Sequence, residues 1–168
     1  MRTITIAFLL LTTALSAGDP ILEKSKALEI FERFKAMSGT WEEKSSVGWQ
    51  GRTEVRVIGR GSAVLSTSRF KEEPEEGMAD VYYMDGDRLL LTHYCEAGNQ
   101  PTLVATESTG NRVRFTFDHG TNMASRDTGH MDEVVYVFHD SEHFTSQWSW
   151  YKNGKGSLFE EVSSQKIK

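Results

Sequence analysis

From Gly39 onward, apolar and polar residues alternate with a period of two, in short runs that are separated by turn residues. Such alternation is typical of strands with one buried face, and turn signals every 8–12 residues or so are typical of an all-β sandwich or barrel. Ten strands are predicted, at roughly 40–48, 51–59, 62–70, 77–84, 87–95, 101–108, 111–118, 130–139, 142–151 and 155–164. Because the connections are short and an open sheet of this width would expose long edges, we expect an up-and-down antiparallel β-barrel of about ten strands.

The segment 81–101 predicts what one wall of this barrel looks like. Asp85-Gly86 links two alternating runs, which is a strong hairpin signal because glycine tolerates the positive φ of a tight turn. In the second run one face carries two leucines followed by a histidine and a cysteine: Leu89, Leu91, His93 and Cys95. An apolar wall that becomes polar towards the end of a strand favours a barrel that holds a ligand.

One helix is predicted before the strands, from about Pro20 to Met37. Proline suits the first helical turn, Asp19 can cap it, and Ser38-Gly39 ends it. Apolar side chains recur at helical spacing, and together they form one stripe: Ala27, Leu28, Phe31, Phe34 and Met37. We expect this stripe to pack on the barrel.

The first residues have the composition of a secretory signal peptide. Arg2 provides a short positive region, residues 4–11 an apolar stretch, and residues 14–18 a small-residue cleavage zone. We therefore predict a signal peptide at 1–18, one domain at 19–168, and export to the periplasm or the extracellular space. The apolar stretch is shorter than the ~20 residues of a bilayer span, and no later segment is long enough, so we expect no integral membrane segment in the mature chain.

Charge and cysteine content exclude some classes of protein. The net charge is −5, and no clustered basic surface is evident, so a nucleic-acid partner is disfavoured. With Cys95 as the only cysteine, an intrachain disulfide is excluded and packing must stabilise the fold. The acidic run 72–76 is interpreted as a solvated loop.

Three side chains with donor chemistry are predicted to meet at one end of the barrel. His93 and Cys95 end the fifth predicted strand, and His130 begins the eighth, after the long polar connection 118–129. Since alternate connections of a meander lie at the same end, we expect all three to point into one pocket at the end away from Trp41. Amides from nearby loops are expected at the same mouth: Asn99, Gln100 and Asn122.

The ninth predicted strand supplies aromatic candidates. Its inward face reads Phe144, Ser146, Trp148 and Trp150. Aromatic rings interleaved with small polar groups suit a wall that holds an amphipathic ligand, although ordinary barrel core has the same composition. Trp148 and Trp150 therefore join the candidate ligand-binding residues.

Gly39-Thr40-Trp41, at the start of the first strand after a short helix, resembles the calycin superfamily of lipocalins, fatty-acid-binding proteins and nitrobindin-like barrels. The chain is similar in particular to bacterial exported lipocalin-like domains of unassigned function, through four segments: 84–89, 93–95, 97–101 and 129–131. The resemblance implies that Trp41 plugs the closed end against a basic residue, with three candidates: Arg56, Arg69 and Arg114. The chain lacks the helix pair that fatty-acid-binding proteins insert after their first strand, and the late helix of typical lipocalins.

The predicted function is binding of a small hydrophobic or amphipathic molecule. The alternative is a haem- or metal-binding protein like the nitrobindin-like barrels, because imidazole and thiolate are soft donors. No fixed metal motif is present, however, and no residue matches the haem histidine of that group. The histidines could instead be hydrogen-bonded parts of the fold, so the cofactor stays unknown.

An enzyme is less favoured than a binding protein. The candidate nucleophilic pair is Cys95 with His93 or His130, or a serine with one of these histidines, but residues two apart on a strand, such as His93 and Cys95, have Cβ atoms roughly 6–7 Å apart. No GxSxG motif and no paired carboxylates stand out. Nucleophilic chemistry would require the two side chains to lean together.

Overall fold

A computed structural model describes residues 21–73 and 77–168. The predicted signal peptide at 1–18 lies outside the described residues, as do Asp19 and Pro20. The described part contains one α-helix, a 3₁₀ turn at Gly59–Gly61 and ten strands: α1 (Lys24–Ala36), β1 (Gly39–Ser45), β2 (Gln50–Ile58), β3 (Ala63–Phe70), β4 (Gly77–Asp85), β5 (Arg88–Tyr94), β6 (Gln100–Thr109), β7 (Arg112–Thr121), β8 (His130–Phe138), β9 (His143–Lys152) and β10 (Lys155–Lys166).

The strands form a closed barrel in which each strand pairs with its neighbour in the chain and β1 pairs with β10. The pairs are antiparallel throughout, for example Trp41 opposite Lys166 and Gly39 opposite Val55. This confirms the predicted all-β, up-and-down barrel of ten strands with a helix before the first one. Closure gives every strand two partners, so no long edge remains open.

The turn between β4 and β5 differs from the prediction by one residue. Asp85 pairs with Arg88, so the two loop residues are Gly86 and Asp87 rather than Asp85 and Gly86. Gly86 has φ 60°, a conformation that glycine adopts without steric cost. The register of this hairpin places Asp80 directly opposite His93.

Helix α1 closes one end of the barrel, which we call the helix end. Its Phe34 ring stacks on Tyr82 at 4.3 Å between centroids and meets Tyr136 edge-on at 5.2 Å. Lys24 Nζ reaches Asp87 in the β4–β5 turn at 2.6 Å. The opposite end, which we call the mouth, carries five connections: β1–β2, β3–β4, β5–β6, β7–β8 and β9–β10.

The helix begins later than predicted and buries a slightly different stripe. Residues 21–23 are not helical, and Ile21 is 54% exposed, so an earlier turn would bury little apolar surface. Leu28, which we placed in the stripe, is 42% exposed, and Ile30 is buried instead. The buried face consists of Ala27, Ile30, Phe31, Phe34 and, just after the helix, Met37.

Trp41 is buried at the start of β1, where its Nε1–H donates to the Met37 carbonyl at 2.8 Å. The basic group over its ring is Lys166, with Nζ 5.5 Å from the ring centroid, and not one of the three predicted arginines. Lys166 is placed there because β10 closes the barrel beside β1. Arg56 pairs with Glu54, Arg114 pairs with Glu107 and Glu133, and Arg69 is exposed on β3.

Candidate functional site

Inward-facing positions change from apolar to polar along the barrel. On the helix side the core is formed by fully buried aliphatic and aromatic residues, among them Val64, Leu89, Leu91, Leu103, Val113, Phe115 and Val134. Further along, buried polar side chains share a narrow space of about 50 Å³, which we call the inner chamber. A space of this size accommodates a few water molecules or the end of a ligand.

A larger space of about 730 Å³ opens at the mouth, and we call it the mouth cavity. Most of its wall is apolar or aromatic: Val47, Trp49, Phe70, Met78, Met131, Trp150 and Phe159. Cys95 and several glutamates complete it. The inner chamber and the mouth cavity share four residues, so one leads into the other through a neck formed by Trp49, Met78, Met131 and Glu160.

His93 is buried in the wall of the inner chamber, as its inward parity predicts. Its Nδ1 lies 2.7 Å from Asp80 Oδ1, and its ring packs on Trp148 at 4.8 Å between centroids. Burial opposes a charge on this imidazole, but the Asp80 carboxylate and the Cys95 thiol outweigh it and raise the pKa of His93 to about 10. The ring is therefore an imidazolium at neutral pH, with Nδ1–H donating to Asp80.

The second ring nitrogen of His93 is unusual, because Nε2 is buried and has no hydrogen-bond partner among the described residues. A buried polar atom without a partner costs free energy on the order of 1–3 kcal/mol. This nitrogen is therefore a candidate for a hydrogen bond to a ligand. In the imidazolium form this nitrogen is an N–H donor inside the chamber.

Cys95 is half-buried just after β5 and lines the mouth cavity. Burial raises the pKa of its thiol, whereas the neighbouring His93 and the Ala97 backbone N–H lower it, and the net effect is a pKa below the ordinary value. His93 lines the inner chamber and Cys95 the mouth cavity, so the two side chains do not line one shared pocket as predicted.

Three carboxylates, two of them buried and one partly buried, line the chamber and its neck, and sequence reasoning did not single them out. Asp80 holds His93. Glu43 accepts hydrogen bonds from Thr53 at 2.5 Å and from Ser164 at 3.2 Å, and burial raises its pKa. Glu160 accepts hydrogen bonds from the Ser45 hydroxyl at 2.5 Å and from Trp49 Nε1 at 2.8 Å.

A signal for two of these carboxylates was present in the sequence. A two-residue turn after Asp85 fixes the register that sets Asp80 opposite His93, and Glu43 has the same strand parity as Trp41. Glu160 gave no such signal, because a β-bulge between Leu158 and Glu160 shifts the alternation.

Tyr82 and Tyr136 also line the inner chamber, with their hydroxyls 2.6 Å apart. Both are buried, which raises their pKa well above the ordinary value. They remain neutral hydrogen-bonding groups across the accessible pH range.

The two predicted tryptophans lie at different depths. Trp148 is buried beside His93 in the inner chamber and donates from Nε1 to the Ser146 hydroxyl at 3.2 Å. Trp150 lines the mouth cavity, 6.3 Å from the Phe159 ring. Together they form a wall that runs from the mouth to the chamber.

His130 has an environment of its own. It is fully buried between Phe117 and Tyr151, with centroids 4.7 and 5.6 Å away. Its Nδ1–H donates to the Thr128 carbonyl, and its Nε2 accepts from Arg126 Nη1 at 2.6 Å. Both nitrogens are thus used within the fold, and His130 is not among the residues that line the inner chamber or the mouth cavity.

Of the three predicted amides at the mouth, Asn99 and Asn122 bridge neighbouring loops, and Gln100 joins the ends of β6 and β7. Asn99 Nδ2 donates to the Gly129 carbonyl at 2.8 Å, and Asn122 Nδ2 donates to the Gly98 carbonyl at 2.6 Å. Gln100 Oε1 accepts from the Thr121 hydroxyl at 2.7 Å. The loops after β5 and before β8 therefore meet as expected, but Asn99 and Asn122 join them to each other, and none of the three amides lines either cavity.

Within residues 21–73 and 77–168, no three His, Cys, Asp or Glu side chains are grouped so that they could hold a metal ion. The chamber beside the free His93 nitrogen, at about 50 Å³, is too small for a porphyrin in this conformation. Within the same ranges, no helix is long and apolar enough to cross a bilayer.

The closed ten-stranded antiparallel barrel is consistent with a calycin- or lipocalin-like fold. The chain matches no family model and no curated protein.

Proposed function

We propose that this protein binds a small amphipathic molecule, with the apolar part in the mouth cavity and the polar end at the neck or in the inner chamber. The observation that carries this proposal is the continuity between a largely apolar cavity of about 730 Å³ and a polar chamber beneath it. Burying about 200 Å² of apolar ligand surface would contribute on the order of 5 kcal/mol before the costs of association.

The charges around the two spaces favour a neutral or cationic ligand over an anionic one. Carboxylates line both of them: Glu43, Asp80 and Glu160 around the chamber or neck, and Glu72, Glu73 and Glu96 at the mouth. Among the described residues that line the two spaces there is no lysine or arginine, and the His93 imidazolium is neutralised by Asp80. An anionic head group would have to enter against this field without a compensating cation.

The calycin-like resemblance and the predicted signal peptide support a carrier that works outside the cytoplasm. We include membership of that superfamily and export in the proposal. The barrel architecture supports the first, and the composition of residues 1–18 supports the second.

The test uses tryptophan fluorescence, because Trp49 and Trp150 line the mouth cavity and Trp148 the chamber. Decylamine, decanol and decanoate, titrated below their aggregation concentrations, have matched chains and different charges. We expect saturable binding of the amine and the alcohol, and at least ten-fold weaker binding of the carboxylate.

A blocking variant tests the location of the site. Met131→Trp enlarges a side chain in the neck, whereas Val57→Trp adds the same group at an exposed position on β2 that lines neither cavity. Binding should weaken only in the first variant. If none of the three compounds binds, or if both variants bind like the wild type, the proposal is wrong.

A further inference from the structure

The wall of the mouth cavity combines aromatic rings with negative charge. Four of its lining residues are aromatic and four are glutamates: Trp49, Phe70, Trp150 and Phe159, and Glu72, Glu73, Glu96 and Glu160. Among the described residues that line this cavity there is no lysine, arginine or histidine. The face of an aromatic ring attracts a cation, and a carboxylate adds to that attraction. A wall of this kind suits an organic cation.

Glu160 is the most deeply placed of these carboxylates. It is 5% exposed and lines both the mouth cavity and the inner chamber, so it lies at the neck. Its hydrogen bonds come from two neutral donors, the Ser45 hydroxyl and Trp49 Nε1, and both go to Oε2. Within residues 21–73 and 77–168, no cationic side chain pairs with Glu160 and its Oε1 accepts no hydrogen bond. A buried carboxylate without a counter-ion is costly, and a cation at the neck would compensate it.

Two aromatic pairs share the cavity with this carboxylate. Trp49 donates to Glu160 at 2.8 Å, and the Phe70 ring meets the Trp49 ring edge-on at 5.2 Å between centroids. Phe159 has no partner in the register of β9 and β10 because of the bulge, so Phe159 and Glu160 line the cavity although they are adjacent in the chain. The Phe159 ring lies 6.3 Å from that of Trp150. One pair is thus joined to Glu160 by a hydrogen bond, and the other by the chain.

We propose that the mouth cavity binds amphipathic molecules with a trimethylammonium head group, and that this head group lies at the neck beside Glu160 and Trp49. The inference rests on the proposed binding function and names its class of ligand. The inner chamber, at about 50 Å³, holds a few water molecules and is too small for a head group with three methyl groups. The head group therefore stays at the neck, and the alkyl chain runs along the apolar wall towards the rim.

The neck favours a quaternary ammonium over a primary one. Of its four residues, Glu160 alone has a side-chain oxygen, because the others are Trp49, Met78 and Met131. A primary ammonium has three N–H donors that need acceptors, whereas a trimethylammonium group has none. The methyl groups can instead contact the indole ring and the two thioethers.

The other glutamates of the cavity lie nearer to solvent and favour the approach of a cation. Glu72, Glu73 and Glu96 are exposed and line the mouth cavity but not the inner chamber. A cleft lined by one sign of charge raises the local concentration of ions of the opposite sign. These carboxylates would therefore speed the entry of the ligand, while Glu160 holds its charge.

The first experiment compares three head groups on the same ten-carbon chain by isothermal titration calorimetry of the wild-type protein. Decyltrimethylammonium, decylamine and decanol are titrated below their aggregation concentrations. We expect decyltrimethylammonium to bind with one-to-one stoichiometry, about ten-fold more tightly than decanol and also more tightly than decylamine.

Each other result has a distinct meaning. Decanol that binds as tightly as decyltrimethylammonium would overturn this inference and leave the proposed binding function intact. Decylamine that binds more tightly than decyltrimethylammonium would show that the class of head group is wrong. If none of the three compounds binds, the proposed binding function itself is contradicted.

Glu160→Gln tests the position of the head group, because it removes the charge and keeps the size of the side chain. Glu161→Gln is the matched control, since Glu161 accepts from Gln147 and lines neither cavity. The first variant should bind decyltrimethylammonium at least ten-fold more weakly and decanol within two-fold of the wild type, and the control should change neither affinity. Binding of decanol reports an intact cavity. A Glu160→Gln protein that binds decanol and keeps the wild-type affinity for the cation would overturn the assignment.

Phe70→Leu tests the aromatic contribution without changing a charge. Leucine keeps the wall apolar and removes the ring, so the affinity for decyltrimethylammonium should fall about three-fold or more while that for decanol changes little. Phe138→Leu is the control, because Phe138 contacts Phe34 at the helix end and lines neither cavity. Equal losses for the cation and the alcohol would show that Phe70 provides apolar area alone, which would contradict its role in recognising the cation.

Discussion

Asp80 and His93 lie directly opposite each other on β4 and β5, and their side chains meet inside the barrel with Oδ1 and Nδ1 2.7 Å apart. Both side chains are largely shielded from solvent. The pair therefore contributes to the fold as well as to the site, and its charge state connects stability with pH.

Asp80→Asn should destabilise the protein by about 3–5 kcal/mol at pH 7, the usual cost of removing one partner from a buried ion pair. The pKa of His93 is raised to about 10 in the folded protein, above its ordinary value of 6.5. The stabilisation from this pair is therefore fully present below about pH 6.5 and is lost as the pH rises through about 10. In urea denaturation at pH 6.5, 8 and 9.5, the difference in free energy of unfolding between the wild type and Asp80→Asn should become smaller as the pH rises.

This series belongs in a Cys95→Ser background, because the lowered pKa of the thiol adds an opposite pH dependence. Removing the thiol also removes part of what raises the pKa of His93, so in this background the stabilisation is lost at a lower pH than in the wild type. Asp85→Asn is the matched control, since its carboxylate is exposed and pairs with Arg88 at the surface. A cost for Asp80→Asn that is independent of pH would contradict the assigned ion pair.

Phe34→Ala should destabilise the barrel by about 3–5 kcal/mol, as is usual when a buried phenylalanine is truncated. Its ring is buried and contacts Tyr82, Phe115, Tyr136 and Phe138 at the helix end. Leu28→Ala, on the exposed side of the same helix, should cost less than about 1 kcal/mol. Equal urea midpoints for the two variants would show that α1 does not close the barrel.

Arg126→Met tests whether His130 is independent of the inner chamber. Arg126 donates to His130 Nε2 and lies over the Phe117 and Tyr151 rings at 4.4 and 3.8 Å. Its loss leaves a buried acceptor without its donor, at a cost of about 1–3 kcal/mol. The urea midpoint should fall accordingly while decylamine binding stays unchanged, and a loss of binding like that of Met131→Trp would show that His130 belongs to the ligand site.

Arg52→Met is the control for this variant, because Arg52 pairs with Glu42 on the exposed surface. Such a pair contributes roughly 0–1 kcal/mol, so the urea midpoint should barely move.

The barrel itself could be predicted from the sequence because its causes are local. Alternation with a period of two marks each strand, and glycine at positive φ marks tight turns such as Gly86 and Gly110. Because the turns are short, each strand pairs with the next strand in the chain. The order of the strands around the barrel therefore follows the order in the sequence. The helix start was less predictable, since it depends on how much apolar surface the first turn buries, and Ile21 is 54% exposed.

The site was predictable only in part, because its geometry depends on irregularities that the alternation does not reveal. His93 and Trp148 keep the inward parity of their strands, and the structure places both in the chamber wall. A bulge between Met131 and Glu133 interrupts the alternation of β8. Met131 therefore lines the neck, where His130 was expected, and His130 packs against Phe117. Carboxylates at inward positions were not singled out, since glutamate and aspartate are rarely buried unless partnered.

Glu43 offers the sharpest test of the polar interior. Its carboxylate is buried and accepts hydrogen bonds from Thr53, Ser164 and, at 3.5 Å, Ser68, and burial raises its pKa above the ordinary 4.5. A raised pKa means that the stabilisation by the protonated form is fully present below about pH 4.5 and is lost as the pH rises through the folded-state value.

Glu43→Gln keeps an acceptor oxygen and removes the charge, so it should match the wild type at pH 4 and be more stable by about 1–3 kcal/mol at pH 8. Glu42→Gln, at an exposed position on the same strand, should show no such divergence. The measurement is the urea midpoint of the three proteins at the two pH values. A Glu43→Gln variant that is less stable than the wild type at pH 8 would show that the charged carboxylate stabilises the fold, which would contradict the prediction.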